Sequence, residues 1–160
     1  MTAQKQHKIL ITGATGFVGS YLLRYLVDKG YSNIRAGRRS SSSMELVTSV
    51  EDKVEWVEMD ILDIAQVEDA MEGVDMVFHC AAVVSYDSKD SLLLYKVNKE
   101  GTENLVNSAL QYGVKKFVHI SSVATLGRDP KGQLIHEKTK WERSDMYTNY
   151  AKTKYLAEME

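Results

Sequence analysis

A tyrosine and a lysine four residues apart can do proton chemistry, and the chain holds four such pairs: Tyr25 with Lys29, Tyr95 with Lys99, Tyr112 with Lys116 and Tyr150 with Lys154. At this spacing on a helix both side chains lie on one face. A free phenol ionises near pH about 10, and an adjacent ammonium favours the phenolate, which brings the proton into use near neutrality. Such a pair could exchange a proton with an oxygen changing between carbonyl and alcohol. The chain has nine tyrosines, so about one match of this spacing is expected by chance at ordinary lysine usage. Position must therefore choose among the four. Tyr25 and Lys29 close the first helical stretch, and Gly113 interrupts the interval from Tyr112 to Lys116. Tyr95 and Lys99 lie within a helical stretch, whereas Tyr150 and Lys154 open the last one. Hydroxyls that could assist stand at Ser121 and Ser122, directly after an apolar run.

A second constellation is Thr12-Gly13-Ala14-Thr15-Gly16-Phe17-Val18-Gly19, between an apolar run and a helical pattern. Gly13 can turn tightly off a strand, Gly16 lets backbone approach a diphosphate, and Gly19 lets the helix pack closely on a sheet. The free amides at the helix start then face the anion. The bland alternative is a turn that needs glycine only for backbone freedom. No Gly-Lys-Ser/Thr follows, which excludes a nucleoside triphosphatase loop. A carboxylate about 20 residues further on would bind the ribose 2′-hydroxyl of NAD, yet no Asp or Glu lies between Asp28 and Glu45. Arg38-Arg39 and four serines stand there instead, and a guanidinium suits a 2′-phosphate. This predicts NADP over NAD, against the plainer reading of a solvated basic loop.

The elements that must position these groups alternate strand with helix. Short apolar runs at 8–11, 34–37, 54–59, 74–81 and 116–120 read as strands. Helical spacing appears over 17–27, 64–73, 92–112 and 147–160, with Leu94, Val97, Leu105 and Ala109 pointing inward. Residues 38–43 read as a basic, serine-rich loop and 125–145 as a long polar loop. Strands buried on both faces and separated by helices specify a parallel α/β sheet. The 160 residues fit one domain, and a net charge of −2 leaves no electrostatic footprint for nucleic acid. The polar N-terminus has no apolar segment of a signal peptide, and one cysteine excludes a disulfide framework or multi-cysteine zinc site. The expectation is a cytoplasmic protein without metal.

The glycines three apart, Asp60-Ile61, His79-Cys80-Ala81-Ala82, Asn98-Lys99-Glu100-Gly101-Thr102 and Ile120-Ser121-Ser122 together resemble the extended branch of the short-chain dehydrogenase/reductase superfamily. That branch, the NAD-dependent epimerase/dehydratase family, includes sugar-nucleotide epimerases and dihydroflavonol reductase-like enzymes. The likeness runs from Lys8 through Glu160. It implies a Rossmann-type sheet ordered 3-2-1-4-5 over residues 1–160, the N-terminal part of a longer chain lacking its C-terminal substrate domain.

The resemblance implies that Tyr150 exchanges the proton, Lys154 lowers its pKa and bonds the nicotinamide ribose, and Ser122 polarises the substrate oxygen. Gly127, five residues beyond, sets the register that selects Ser122, with Thr125 as fallback. Cofactor contacts fall to Gly13, Thr15, Gly16, Phe17, Val18, Gly19, Arg38, Asp60, Ile61, Ala81 and Ala82, besides Tyr150 and Lys154. Asp60 would bond the adenine amino group under Ile61, or equally would cap the following helix. Asn98 either fixes a water or loop near the site or faces solvent. Helices 92–112 and 147–160 would pair two copies into a homodimer. The expected activity is NADP-dependent reduction of a carbonyl or oxidation of an alcohol. A nucleotide-sugar epimerase/dehydratase is the alternative within the family, and a non-catalytic dinucleotide-binding module the alternative outside it.

Overall fold

A computed structural model describes residues 6–127, 132, 134–139, 141 and 147–160. Five parallel strands, β1 (Ile9–Thr12), β2 (Ile34–Arg38), β3 (Glu55–Glu58), β4 (Met76–His79) and β5 (Lys116–His119), form one sheet ordered β3-β2-β1-β4-β5. Register pairs Ile11 with Ala36 on one side and Phe78 on the other. The sheet order and parallel sense are those the sequence implies.

Alternate strand residues feed two cores, as the two-residue period requires. Leu10 and Val77 meet Val67 and Met71 of α2 (Ile64–Met71) and Leu105 and Ala109 on the opposite side of that layer. Ile9, Ile11 and Ala36 meet Leu23 and Leu26 of α1 (Phe17–Asp28) on the other face. Val47 and Val50 join them from a nine-residue 3₁₀ helix, Glu45–Lys53. No element is expected there from the sequence pattern, although apolar residues three apart suit a three-residue turn.

The long helix over 92–112 is three pieces in series: α3 (Ser91–Leu94), a π-helical stretch (Tyr95–Glu100) and α4 (Gly101–Gln111). Leu94, Leu105 and Ala109 are buried as expected, and Val97 packs half-buried against the core. α5 (Asn149–Glu158) begins with Thr148, whose Oγ1 accepts from the Ala151 amide at 3.1 Å. Tyr147 and Tyr155 stack on Trp141, at 3.6 and 4.3 Å between ring centres. Of the polar stretch 125–145, residues 128–131, 133, 140 and 142–145 lie outside the described residues; Val123–Thr125 is a short 3₁₀ turn.

Two charged residues in the sheet explain its outer edge. Arg35 is buried in β2 and bonds Glu55 of β3 at 2.9 Å. Its Nη1 also donates to the carbonyls of Ala70 (2.7 Å) and Glu72 (3.1 Å) where α2 ends. A guanidinium there satisfies terminal carbonyls that have no intrahelical donor.

Candidate functional site

The loop from β1 into α1 is shaped by contacts a side chain would break. Gly13 has φ +61°, and a Cβ there would lie 2.7 Å from Ala81 Cα. A Cβ on Gly19 would run into the Gly13 carbonyl, 2.8 Å from its carbon. Gly19 is thus required by the turn itself rather than by packing of the helix on the sheet. Gly16 caps α1 with no side-chain bond, and the first turn holds no acidic residue. The leading amides and the positive end of the helix are left for an anion.

This loop opens onto a cavity of about 330 Å³, within the range of cofactor sites. Gly13, Thr15, Gly16, Arg38, Asp60, Ile61, Ala81 and Ala82 all line it. Phe17, Val18 and Gly19 do not: Phe17 and Val18 stand exposed on the first turn of α1, Phe17 at 89%, and Gly19 is buried behind the Gly13 carbonyl. Arg39, Ser42, Met59, Cys80 and Val83 complete walls that the sequence reading did not assign to the cofactor. Residues 39–42 form a turn closed by the Ser42 amide on the Arg39 carbonyl (3.0 Å) and the Arg39 amide on Ser42 Oγ (3.1 Å). A glycine loop that a Cβ would fill, with two arginines at the end of β2, fits a dinucleotide.

Asp60 does not cap α2. That cap is Asp63, which accepts from the Gln66 amide at 3.2 Å. Asp60 Oδ1 instead accepts from the Leu62 amide (2.9 Å), while its own amide donates to Gln66 Oε1 (2.8 Å).

At the carboxyl ends of β4 and β5 a buried polar network begins. The Ala81 amide donates to Thr12 Oγ1 (3.2 Å), which donates to His79 Nδ1 (2.7 Å). Thr102 Oγ1 donates to the Asn98 carbonyl (2.6 Å), so His79 Nε2 carries the proton and donates to Thr102 (3.0 Å). Burial first, then the neighbouring His119 and the Lys154 charge, push the His79 pKa well below the usual range, so the ring is neutral. Cys80 is half-buried, and burial raises its thiol to about 11.

Asn98, 1% exposed, lies in the π-helical stretch. Its Oδ1 accepts from the Val83 amide (2.8 Å), and its Nδ2 donates to the Val83 carbonyl (2.9 Å) and Thr153 Oγ1 (3.2 Å). It therefore holds the loop after β4 against α5, and the solvent-facing alternative is overturned. π-helical turns often occur at functional positions.

Lys154 is 2% exposed. Its Nζ donates to the Ile120 carbonyl (2.8 Å) and to His119 Nε2 (3.0 Å). Burial lowers its pKa to about 8, with Glu158 and Cys80 pulling the other way. Tyr150, one turn earlier, is buried against Tyr86, at 6.0 Å between ring centres. Ser122 follows Ile120 by two residues; its Oγ accepts from the Ala124 amide (3.1 Å), which leaves the hydroxyl proton for another acceptor. The fallback Thr125 has its hydroxyl engaged, its single proton shared between the Ser122 carbonyl (2.7 Å) and Glu158 Oε1 (2.9 Å). Glu158 also accepts from Ser121, so α5 is tied to the segment carrying Ser122. Lys154 thus bonds the Ile120 carbonyl two residues before Ser122, with Tyr150 one turn earlier on α5, and none of Ser122, Tyr150 and Lys154 lines the cavity.

The competing pairs are placed elsewhere. Lys99 is held by Glu103 (2.6 Å) and Glu160 (3.2 Å), which raise its pKa, and Tyr95 with Lys99 lies in the π-helical stretch. Lys29 sits over the exposed Tyr25 ring, 5.4 Å from its centre, and Tyr112 ends α4.

The profile of the NAD dependent epimerase/dehydratase family matches residues 9–160. The chain belongs to that family. It is 35% identical over 150 residues to a Synechocystis protein named "Putative dihydroflavonol 4-reductase", covering 94% of this chain and 43% of that protein. A short-chain dehydrogenase/reductase superfamily protein from Agrobacterium tumefaciens, solved with bound NAD, is 29% identical with a TM-score of 0.77, over 96% of this chain and 43% of that one. The UDP-Glc/GlcNAc 4-epimerase of Campylobacter jejuni is 27% identical with a TM-score of 0.84, over 96% and 47%. The chain spans less than half the length of these relatives. No helix among the described residues is long and apolar enough to cross a membrane.

Proposed function

We propose that the chain forms the cofactor-binding half of an NADP-dependent oxidoreductase that acts on a carbonyl or its alcohol in the cytoplasm. What supports this reading is a glycine-loop cavity with Arg38 at its wall, together with a buried Lys154 that sits one turn from Tyr150 and bonds the Ile120 carbonyl two residues before Ser122. The glycine loop and α1 would hold the diphosphate, Asp60 and Ile61 the adenine end, and Arg38 a 2′-phosphate. The bound nicotinamide supplies or accepts the hydride.

The chain's own groups would manage the proton. Ser122, its Oγ already oriented by the Ala124 amide, donates to the substrate oxygen and polarises it. Tyr150 transfers the proton to or from that oxygen. Lys154 stabilises the phenolate from the next turn of α5 and offers its remaining N–H to the ribose. Asn98 keeps Val83, at the cavity wall, in step with α5.

Tyr150→Phe tests the assignment: NADPH oxidation over a panel of carbonyl compounds should nearly vanish while NADP affinity stays close to native. Retained turnover, with Tyr95→Phe inactive instead, would reassign the proton donor. The likeness to the Campylobacter epimerase favours a nucleotide-sugar epimerase as second reading. That enzyme would interconvert epimers without net NADPH consumption. Tight cofactor binding with neither reaction would mark a non-catalytic module.

We further propose a homodimer through helices 92–112 and 147–160, which expose Leu92, Leu110, Leu156 and Met159. A monomer by sedimentation equilibrium at micromolar concentration excludes it.

A further inference from the structure

His119 ends β5, and its ring is arranged around the lysine. An ammonium has donors and no acceptor. His119 Nε2, 3.0 Å from Lys154 Nζ, must therefore present its lone pair, which puts the ring proton on Nδ1. That Nδ1 is buried and has no hydrogen-bond partner among the described residues. The ring thus serves the lysine at the expense of its own second nitrogen, an arrangement that packing alone does not select.

The surroundings keep this acceptor neutral. His79 of β4 faces the ring at 5.2 Å with the opposite tautomer, its Nε2–H given to Thr102. Glu158 and Lys154 act on it from α5, and Cys80 lies near the same ammonium at the end of β4. Burial first, then the Lys154 charge, lowers the His119 pKa to about 4, with Glu158 opposing. Above that pH the ring accepts; protonating it would set two cations 3.0 Å apart.

We propose that His119 is a positioning residue for Lys154, its Nε2 lone pair holding the buried ammonium at the carboxyl end of β5 beside the segment that carries Ser122. This rests on the reading of Lys154 as the partner of Tyr150. Together with the Ile120 carbonyl, His119 fixes two of the three ammonium N–H directions and leaves the third for the reaction.

The test uses the protein at its natural length. In the native protein, nitrogen NMR of the His119 imidazole at pH 7 should show the Nδ1–H tautomer, and the Nε2–H tautomer overturns the proposal without any variant. His119→Phe keeps the ring's bulk and removes the acceptor, whereas His119→Gln keeps an acceptor and changes the shape. The Lys154 ammonium titration, assigned by its loss in Lys154→Met, should fall by about one pH unit or more in His119→Phe. It should return towards the native midpoint in His119→Gln. At pH 7 kcat should drop at least about tenfold in the Phe variant and recover in the Gln variant. Equal behaviour of the two variants, or a milder effect from Phe, reveals packing and overturns the proposal. So does unchanged kcat in His119→Phe where Tyr150→Phe is inactive. If Tyr150→Phe itself retains turnover, the proton-donor reading fails while the tautomer and Lys154 titration still judge His119.

Discussion

Replacing Lys154 with methionine should remove a pH-dependent cost from the folded protein while ending turnover. The lysine is buried with its charge, and burial lowers its pKa from 10.5 to about 8. The unfolded chain therefore holds this proton more tightly than the folded one. The cost of the charge is fully present below about pH 8, shrinks as pH rises and is gone above the unfolded value near 10.5. A drop of that size corresponds to about 3 kcal/mol against the charged form, reduced to about 1–3 kcal/mol by water reaching the ammonium. Methionine also withdraws the donor from the Ile120 carbonyl and His119 Nε2, a loss that does not vary over this pH range. Urea unfolding at a series of pH values, with an unchanged slope, should therefore show the native protein gaining about 1–3 kcal/mol on Lys154→Met between about pH 8 and pH 10, where its own lysine discharges. Parallel pH profiles for the two would refute the claim that an ionised lysine is held there at a cost.

Asn98→Ala strips partners from the Val83 amide and carbonyl, and unfolding free energy should fall by about 2–4 kcal/mol in urea titrations. Arg35→Met uncaps the end of α2 and should cost about 1–3 kcal/mol. Glu55, whose pKa Arg35 lowers, supports the native fold above its ordinary carboxylate range and loses that support as pH falls through its depressed value. The acid limb of stability should therefore be shallower in Arg35→Met. Arg38→Ala should weaken NADP binding at least about tenfold in calorimetric titration and leave NAD nearly unchanged; equal affinity of the native protein for both cofactors would remove the 2′-phosphate assignment.

The sheet was legible because strands buried on both faces leave continuous apolar runs, and the glycine loop because backbone constraints are local. Asp63-Ile64-Ala65-Gln66 also carried a visible capping signature that Asp60 drew attention away from. The remainder depends on partners distant in sequence. Arg35 finds Glu55 and the end of α2, and His119 finds Lys154 35 residues on. Nothing in 95–100 announces a π-helical turn, since its wider winding is imposed by where Leu94, Asn98 and Leu105 must all be buried. Phe17 and Val18 follow the apolar periodicity of α1 yet stay exposed, because the helix begins at the rim, beyond the edge of the core.

That wider winding bears on which length changes the molecule tolerates. Removing one residue from 95–100 could be absorbed locally by tightening to an ordinary helix, with every backbone bond remade. The two flanks would then stay in phase, because the π-turn already takes up about one residue more than an ordinary turn. Leu94 would keep its place in the interior and Thr102 its bond to His79. The same deletion made within α4 ahead of Leu105 has no such reserve: it would turn the flanks by about 100° against each other and drive Leu105 or Leu94 out of the interior.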